Sequence, residues 1–153
     1  MRRTFAKRVR RMFFLCLSQV GFNAILAAMT TILLVDDDPD RAELLGHMCD
    51  ILGFEHPYAQ TGEEALALCR TNPPDAIVLD VMLDETDGWT LFPKLTLVSD
   101  APIIFITAWR TGENRARADG LKSDGFLPKP ISHHDFVQQL TEVLGKPARR
   151  LSE

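Results

Sequence analysis

Short apolar runs alternate along the chain with longer stretches in which apolar side chains recur every three or four positions. The short runs cover residues 31–35, 54–59, 77–80, 102–106 and 125–127. Most of them contain β-branched residues and all are bounded by Asp, Thr, Gly or Pro, so each predicts a strand. Strands that alternate with helices five times predict a parallel sheet covered by helices on both faces.

Five helices are predicted in the longer stretches. Four of them combine a helical spacing of apolar side chains with residues that favour helix ends, whereas the helix predicted over residues 110–120 is polar, rich in arginine and the least amphipathic. Asp38 precedes Pro39 at the start of the first helix, and Gly53 follows its end. Pro93 lies inside the third helix and is predicted to kink it or delay its start. The second to fifth helices are predicted to begin at Thr61, Asp87, Arg110 and Ser132.

The composition predicts one ordinary globular domain. Of the 153 residues, 46% are hydrophobic and 25% are charged, which is enough chain to bury a proper core. The three cysteines have no paired spacing, so no disulfide framework is expected. Cys49 and Cys69 fall on apolar helix faces and are interpreted as small buried hydrophobic residues in a reducing compartment.

Charge is distributed unevenly along the chain. The first 29 residues hold six basic residues and no acidic one, whereas residues 30–153 hold 11 basic and 21 acidic residues, a net charge of −10. This acidic body argues against nucleic acid or an anionic membrane as a partner. The negative charge of residues 30–153 favours a cation or a basic protein surface as the partner.

The segment 1–29 is basic and then mostly apolar, and three interpretations of it remain open. It resembles a secretory signal with a twin-arginine start, or a membrane anchor interrupted by polar residues. We favour the third, an upstream extension, because Met29 leads directly into the first predicted strand. We therefore expect an extension at 1–29, the folded domain at 30–147 and a tail at 148–153, with no output domain attached.

Polar side chains follow the ends of four predicted strands. Asp36 and Asp37 follow the first, Asp80 ends the third, Thr107 follows the fourth and Lys129 lies near the end of the fifth. In a doubly wound sheet these ends converge on one crevice. Three carboxylates and one ammonium group are suited to binding Mg²⁺ together with a phosphate. An ionised Asp80 would then attack a phosphoryl group. Mg²⁺, Lys129 and the Thr107 hydroxyl would stabilise the charge on the phosphoryl oxygens.

This set of residues resembles the receiver domain of bacterial two-component response regulators. The resemblance rests on Leu34-Val-Asp-Asp37, Asp80, Asp87-Gly88, Thr107-Ala108 and Lys129-Pro130, and it covers residues 31–145. It implies a flavodoxin-like, doubly wound parallel sheet with five strands and five helices. It also implies a signalling domain rather than an enzyme.

The resemblance implies a role for each site residue. Asp80 would be the phosphoacceptor, and it would bind Mg²⁺ together with Asp36, Asp37 and the backbone carbonyl of Met82. The phosphoryl group would be bound, and its arrival reported, by Thr107 and Lys129.

Other positions would transmit the signal or line the pocket. Phe126 would be the switch aromatic that remodels the surface of the fourth and fifth helices. Asp84 takes the place of a proline usual in the family and would line the pocket with Ala108 and Trp109. Met82 and Trp109 are large and apolar, so we predict that they hinder water and prolong the phosphoryl state. Lys122 stands where the family commonly has glycine.

The implied partners are a sensor histidine kinase or a histidine phosphotransfer protein, and a downstream protein, in the cytoplasm. Two other functions remain open. The Asp36-Asp37-Asp38 sequence also resembles haloacid dehalogenase-type phosphatases, in which Asp36 would be the nucleophile. The chain could also be a binding module that keeps the receiver fold without being phosphorylated.

Overall fold

Five parallel strands form one sheet, and a helix follows each strand. The computed structural model describes residues 30–108 and 112–145. The strands are β1 (Ile32–Val35), β2 (Tyr58–Ala59), β3 (Ala76–Asp80), β4 (Ile103–Thr107) and β5 (Gly125–Pro128). The helices are α1 (Pro39–Ile51), α2 (Gly62–Thr71), α3 (Gly88–Val98), α4 (Gly112–Gly120) and α5 (His133–Gly145). The sheet order is β2-β1-β3-β4-β5, which confirms the predicted flavodoxin-like, doubly wound fold.

Successive strand side chains point to opposite faces of the sheet, so the strands supply two separate cores. One core joins alternate strand residues to α2, α3 and α4, and it includes Leu33, Ile77, Phe105, Cys69, Leu95 and Ala118. The other joins the intervening strand residues to α1 and α5, and it includes Leu34, Val78, Ile104, Cys49, Phe136 and Leu140. Burial on both faces explains why the strands are continuous apolar runs.

Side-chain caps fix the helix starts as predicted. In each case the oxygen of the cap accepts a hydrogen bond from a backbone amide in the first turn. The four pairs are Asp38 with Asp40 at 3.0 Å, Thr61 with Glu64 at 3.2 Å, Asp87 with Thr90 at 2.6 Å and Ser132 with Asp135 at 3.0 Å. The predicted burial of Cys49 and Cys69 as free thiols is also confirmed.

The second strand is the predicted element that differs most from the structure. The second strand was expected over residues 54–59 but is reduced to Tyr58–Ala59, with an isolated bridge between Thr31 and Glu55. Pro57 has no N–H to donate, so it interrupts the ladder between the bridge and β2. The third helix begins at Gly88, so Pro93 lies inside it without delaying its start.

Candidate functional site

Two buried carboxylates lie side by side at the C-terminal edge of the sheet. Asp36 directly follows β1 and Asp80 ends the neighbouring β3, and they are only 2% and 1% exposed. Asp37 lies beside them, half-buried. One carboxylate oxygen from each of the three lies within 4.8 Å of the others. The structure therefore confirms the prediction that these three aspartates converge.

Both oxygens of Asp80 accept hydrogen bonds. The Oδ1 atom accepts from the Met82 amide at 3.0 Å, and Oδ2 accepts from Lys129 Nζ at 2.9 Å and from Arg41 Nη2 at 3.0 Å. Burial raises the pKa of Asp80, while Lys129 and the Met82 amide act in the opposite direction. These donors favour the ionised carboxylate, which is the nucleophilic form.

Lys129 and Thr107 approach the site from the last two strands. Lys129 follows β5, and its amide donates to the Thr107 carbonyl at 2.8 Å. This bond anchors the backbone from which the ammonium group reaches Asp80. Thr107 ends β4, is 1% exposed, and lies one residue beyond Ile106, the register partner of Asp80. The structure thus brings Lys129 into contact with Asp80 and places Thr107 at the adjoining strand end.

Arg41 belongs to the site and was missed by the sequence analysis. Its Nη2 atom lies 2.9 Å from Asp36 Oδ1, 3.4 Å from Asp37 Oδ1 and 3.0 Å from Asp80 Oδ2. Its Nε atom donates to Asp36 Oδ2 at 3.1 Å. The hydrogen bond to Asp36 is the largest of the effects that raise the pKa of Arg41. The available signal was its position four residues after Asp37, a spacing that brings two side chains together at the start of a helix.

Asp84 contacts the site through Asp37. The two carboxyl groups interact, although the Asp84 residue as a whole is exposed. Partial burial, this interaction and the charges of Asp36 and Asp80 raise the pKa of Asp37. The acidic residue in place of a proline therefore adds negative charge to the same edge of the site.

Met82 and Ala108 lie in the loops that follow β3 and β4. The Met82 side chain is 51% exposed, and Ala108 is exposed directly after Thr107. Trp109 lies outside the described residues. Phe126 is partly buried against the core of α2, α3 and α4, and the Arg115 guanidinium lies 5.7 Å from the centre of its ring.

The donor set fits a hard divalent cation. Carboxylate oxygens are the ligands that Mg²⁺ prefers, and Asp36, Asp37 and Asp80 offer one each within a short distance. The three negative charges of these aspartates outnumber the two positive charges of Lys129 and Arg41, so a further cation would improve the local charge balance.

Comparisons with known proteins agree with this geometry. The family model of the response regulator receiver domain matches residues 32–141. The curated protein CpxR of Klebsiella pneumoniae, a transcriptional regulatory protein, is 34% identical over 116 residues, which cover 76% of this chain and 50% of CpxR. The response regulator MprA of Mycobacterium sp. (strain KMS) is 35% identical over 114 residues, covering 74% of this chain and 50% of MprA. The chain therefore matches about half the length of these curated relatives.

Solved structures show the same relationship. The non-phosphorylated receiver domain of HemR from Leptospira biflexa superposes with a TM-score of 0.71 at 30% identity. That match covers 79% of this chain and 98% of the HemR domain. A two-component response regulator from Clostridium difficile superposes with a TM-score of 0.71 at 29% identity, over 75% of this chain and 95% of that one. The chain belongs to the response regulator receiver domain family, a signalling module of two-component systems.

Proposed function

We propose that Asp80 is the phosphoacceptor of a phosphorylation switch. The observation that carries the proposal is the Asp80 carboxylate, which ends β3 with Lys129 Nζ at 2.9 Å and with Asp36 and Asp37 oxygens within 4.8 Å. The phosphoryl donor would be a phosphohistidine on a sensor histidine kinase or a histidine phosphotransfer protein. Membership of the receiver family favours Asp80 over Asp36 as the acceptor.

The transfer exchanges one bond for another. An Asp80 oxygen attacks phosphorus, the P–N bond to the histidine breaks, and the imidazole leaves with the electron pair and is protonated. The product is an acyl phosphate on Asp80. The Lys129 ammonium and the Thr107 hydroxyl hydrogen-bond to the phosphoryl oxygens as charge develops on them. Mg²⁺, held by Asp36, Asp37, Asp80 and the Met82 carbonyl, would neutralise the carboxylates and the phosphoryl oxygens.

The signal would leave the site through β4 and β5. Phe105 pairs with Phe126, and Thr107 pairs with Pro128, the residue before Lys129. A shift of Thr107 and Lys129 toward a phosphoryl group would therefore act on both strands. With Phe126 as the switch aromatic, the surface of α4, β5 and α5 would change and bind a downstream protein in the cytoplasm. Among the described residues no helix is long and apolar enough to cross a membrane.

Intact mass spectrometry after incubation with acetyl phosphate tests the proposal. We expect wild-type protein to gain one phosphoryl group only when Mg²⁺ is present, and Asp80→Asn to gain none. Asp119→Asn, which removes an exposed carboxylate from α4, is the matched control and should behave like wild type. An adduct that survives in Asp80→Asn but not in Asp36→Asn would indicate the phosphatase-like scheme. No adduct on wild type would indicate an unphosphorylated binding module.

A further inference from the structure

The guanidinium of Arg41 lies among the carboxylates that would bind a divalent cation. Its Nη2 atom reaches one oxygen each of Asp36, Asp37 and Asp80, at 2.9, 3.4 and 3.0 Å. Its Nη1 atom also contacts Asp38 Oδ2 at 3.2 Å. One side chain thus contacts four aspartates.

Arg41 uses the same oxygen lone pairs that a cation held by these aspartates would need. It also affects the nucleophile, because Asp80 Oδ2 accepts from both Arg41 and Lys129 while Oδ1 accepts from the Met82 amide. Attack on phosphorus needs an Asp80 oxygen with a lone pair turned toward the donor. A carboxylate has about four such lone pairs and three are occupied here, so Arg41 restricts access to Asp80.

We propose that Arg41 is a built-in counter-ion that competes with Mg²⁺ for the acceptor site and must withdraw before Asp80 is phosphorylated. The inference rests on the proposed function, because it assumes that the three aspartates bind Mg²⁺. Arg41 thereby sets the Mg²⁺ concentration at which the switch becomes competent.

The surroundings of Arg41 permit this withdrawal. The side chain is 38% exposed, in contrast to 15% for Lys129, so it can leave the centre without losing a buried environment. Asp38, whose side chain is 39% exposed, already contacts the guanidinium and can remain its partner after release. Lys129, which approaches from β5, can keep its contact with Asp80 throughout.

Isothermal titration with Mg²⁺, without any phosphoryl donor, tests the proposal on the full chain. We expect Arg41→Met to bind Mg²⁺ about tenfold more tightly than wild type, because the charge-assisted contacts of Arg41 with the three aspartates no longer have to be broken. Its melting temperature without Mg²⁺ should fall, and the rise on adding Mg²⁺ should exceed that of wild type. Arg70→Met removes the same charge from an exposed position in the last turn of α2 and should leave the affinity unchanged.

Equal or weaker Mg²⁺ binding in Arg41→Met than in Arg70→Met would overturn the inference and leave the proposed function intact. Absence of Mg²⁺ binding in all variants would overturn the metal requirement of the proposed function as well. If Arg41→Met does not fold, Arg41→Lys serves in its place. Lysine keeps the charge but cannot contact several carboxylates through a fork of N–H groups, so its Mg²⁺ affinity should exceed that of wild type.

Discussion

Gly88 packs directly against the backbone of Asp80. A Cβ atom added to Gly88 would lie 2.6 Å from the Asp80 carbonyl oxygen and 2.9 Å from the α-carbon of Val81. The Gly88 amide also donates to the Val81 carbonyl at 2.8 Å. The first turn of α3 therefore rests on the segment that carries the Asp80 carboxylate, and only glycine permits so close an approach.

We expect Gly88→Ala to destabilise the protein by about 1–3 kcal/mol, because backbone rather than a flexible side chain must move. The displacement reaches Asp80, so phosphorylation by acetyl phosphate should also slow. Urea denaturation and intact mass spectrometry measure the two effects. Gly120→Ala is the control, because no atom lies within 4 Å of its added Cβ. Equal stability of the two variants would contradict the packing argument.

The Lys129–Asp80 pair should show strong coupling in a double-mutant cycle. Lys129→Met leaves a buried carboxylate with Arg41 and the Met82 amide as its remaining donors. We expect a loss of about 1–3 kcal/mol in unfolding free energy at neutral pH. Adding Asp80→Asn to Lys129→Met should restore most of that loss, since the buried charge that has lost its Lys129 partner disappears. Urea denaturation of the four proteins measures the coupling, and additive losses would exclude a direct ion pair.

The strand ends were predictable because their chemistry depends on sheet topology. Asp36, Asp80 and Lys129 each follow an apolar run, and parallel strands place such positions at one edge. Arg41 was missed because an arginine four residues after an aspartate on a helix ordinarily forms an exposed pair. Only the fold shows that the first turn of α1 directs the Arg41 side chain across the C-terminal edge of the sheet toward Asp80.

The loop after β3 illustrates a second limit of sequence reasoning. Asp84 was expected to line the pocket, and in the structure its carboxyl group interacts with that of Asp37 and raises the pKa of Asp37. That interaction joins loops separated by more than forty residues, so neither local spacing nor propensity could reveal it. The proposed lifetime effect of Met82 and Trp109 stays a prediction.

Asp37→Asn should stabilise the protein in a pH-dependent way. The pKa of Asp37 is raised above 3.8 in the folded state, so ionisation costs folding stability as pH increases through that range. Asparagine removes this cost. The contact that Asp37 makes with Arg41, at 3.4 Å, is longer than the contacts that Asp36 and Asp80 make with it. The unfolding free energy of the variant should exceed that of wild type by up to about 1 kcal/mol at neutral pH.

The pH profile separates this effect from a general change in packing. Urea denaturation at several pH values should show the advantage of Asp37→Asn shrinking toward pH 3.8, where the wild-type carboxyl group is largely protonated. Asp119→Asn provides the comparison at an exposed site on α4. An advantage that does not vary with pH would rule out the titration of Asp37 as its cause. Mg²⁺ binding should weaken in Asp37→Asn although the fold becomes more stable.

Lys122 and Gly53 occupy the same position in two equivalent helix ends. After α4, the Lys122 amide donates to the Asp119 carbonyl at 3.0 Å and Ser123 to that of Ala118 at 3.1 Å. After α1, Gly53 and Phe54 make the same pair of bonds at 2.9 and 3.0 Å. Both are Schellman motifs, with φ of 56° at Lys122 and 75° at Gly53.

Lysine carries a Cβ atom and is therefore strained in this left-handed backbone conformation, whereas glycine has no Cβ atom and adopts it without strain. We expect Lys122→Gly to raise the unfolding free energy by about 0.5–1 kcal/mol, because relief of strain exceeds the entropy cost of glycine. Lys122→Ala removes the same side chain but keeps the Cβ atom, so it should gain less. Thermal unfolding of the three proteins measures the difference. If alanine stabilised as much as glycine, the gain would come from the lost side chain and not from the backbone.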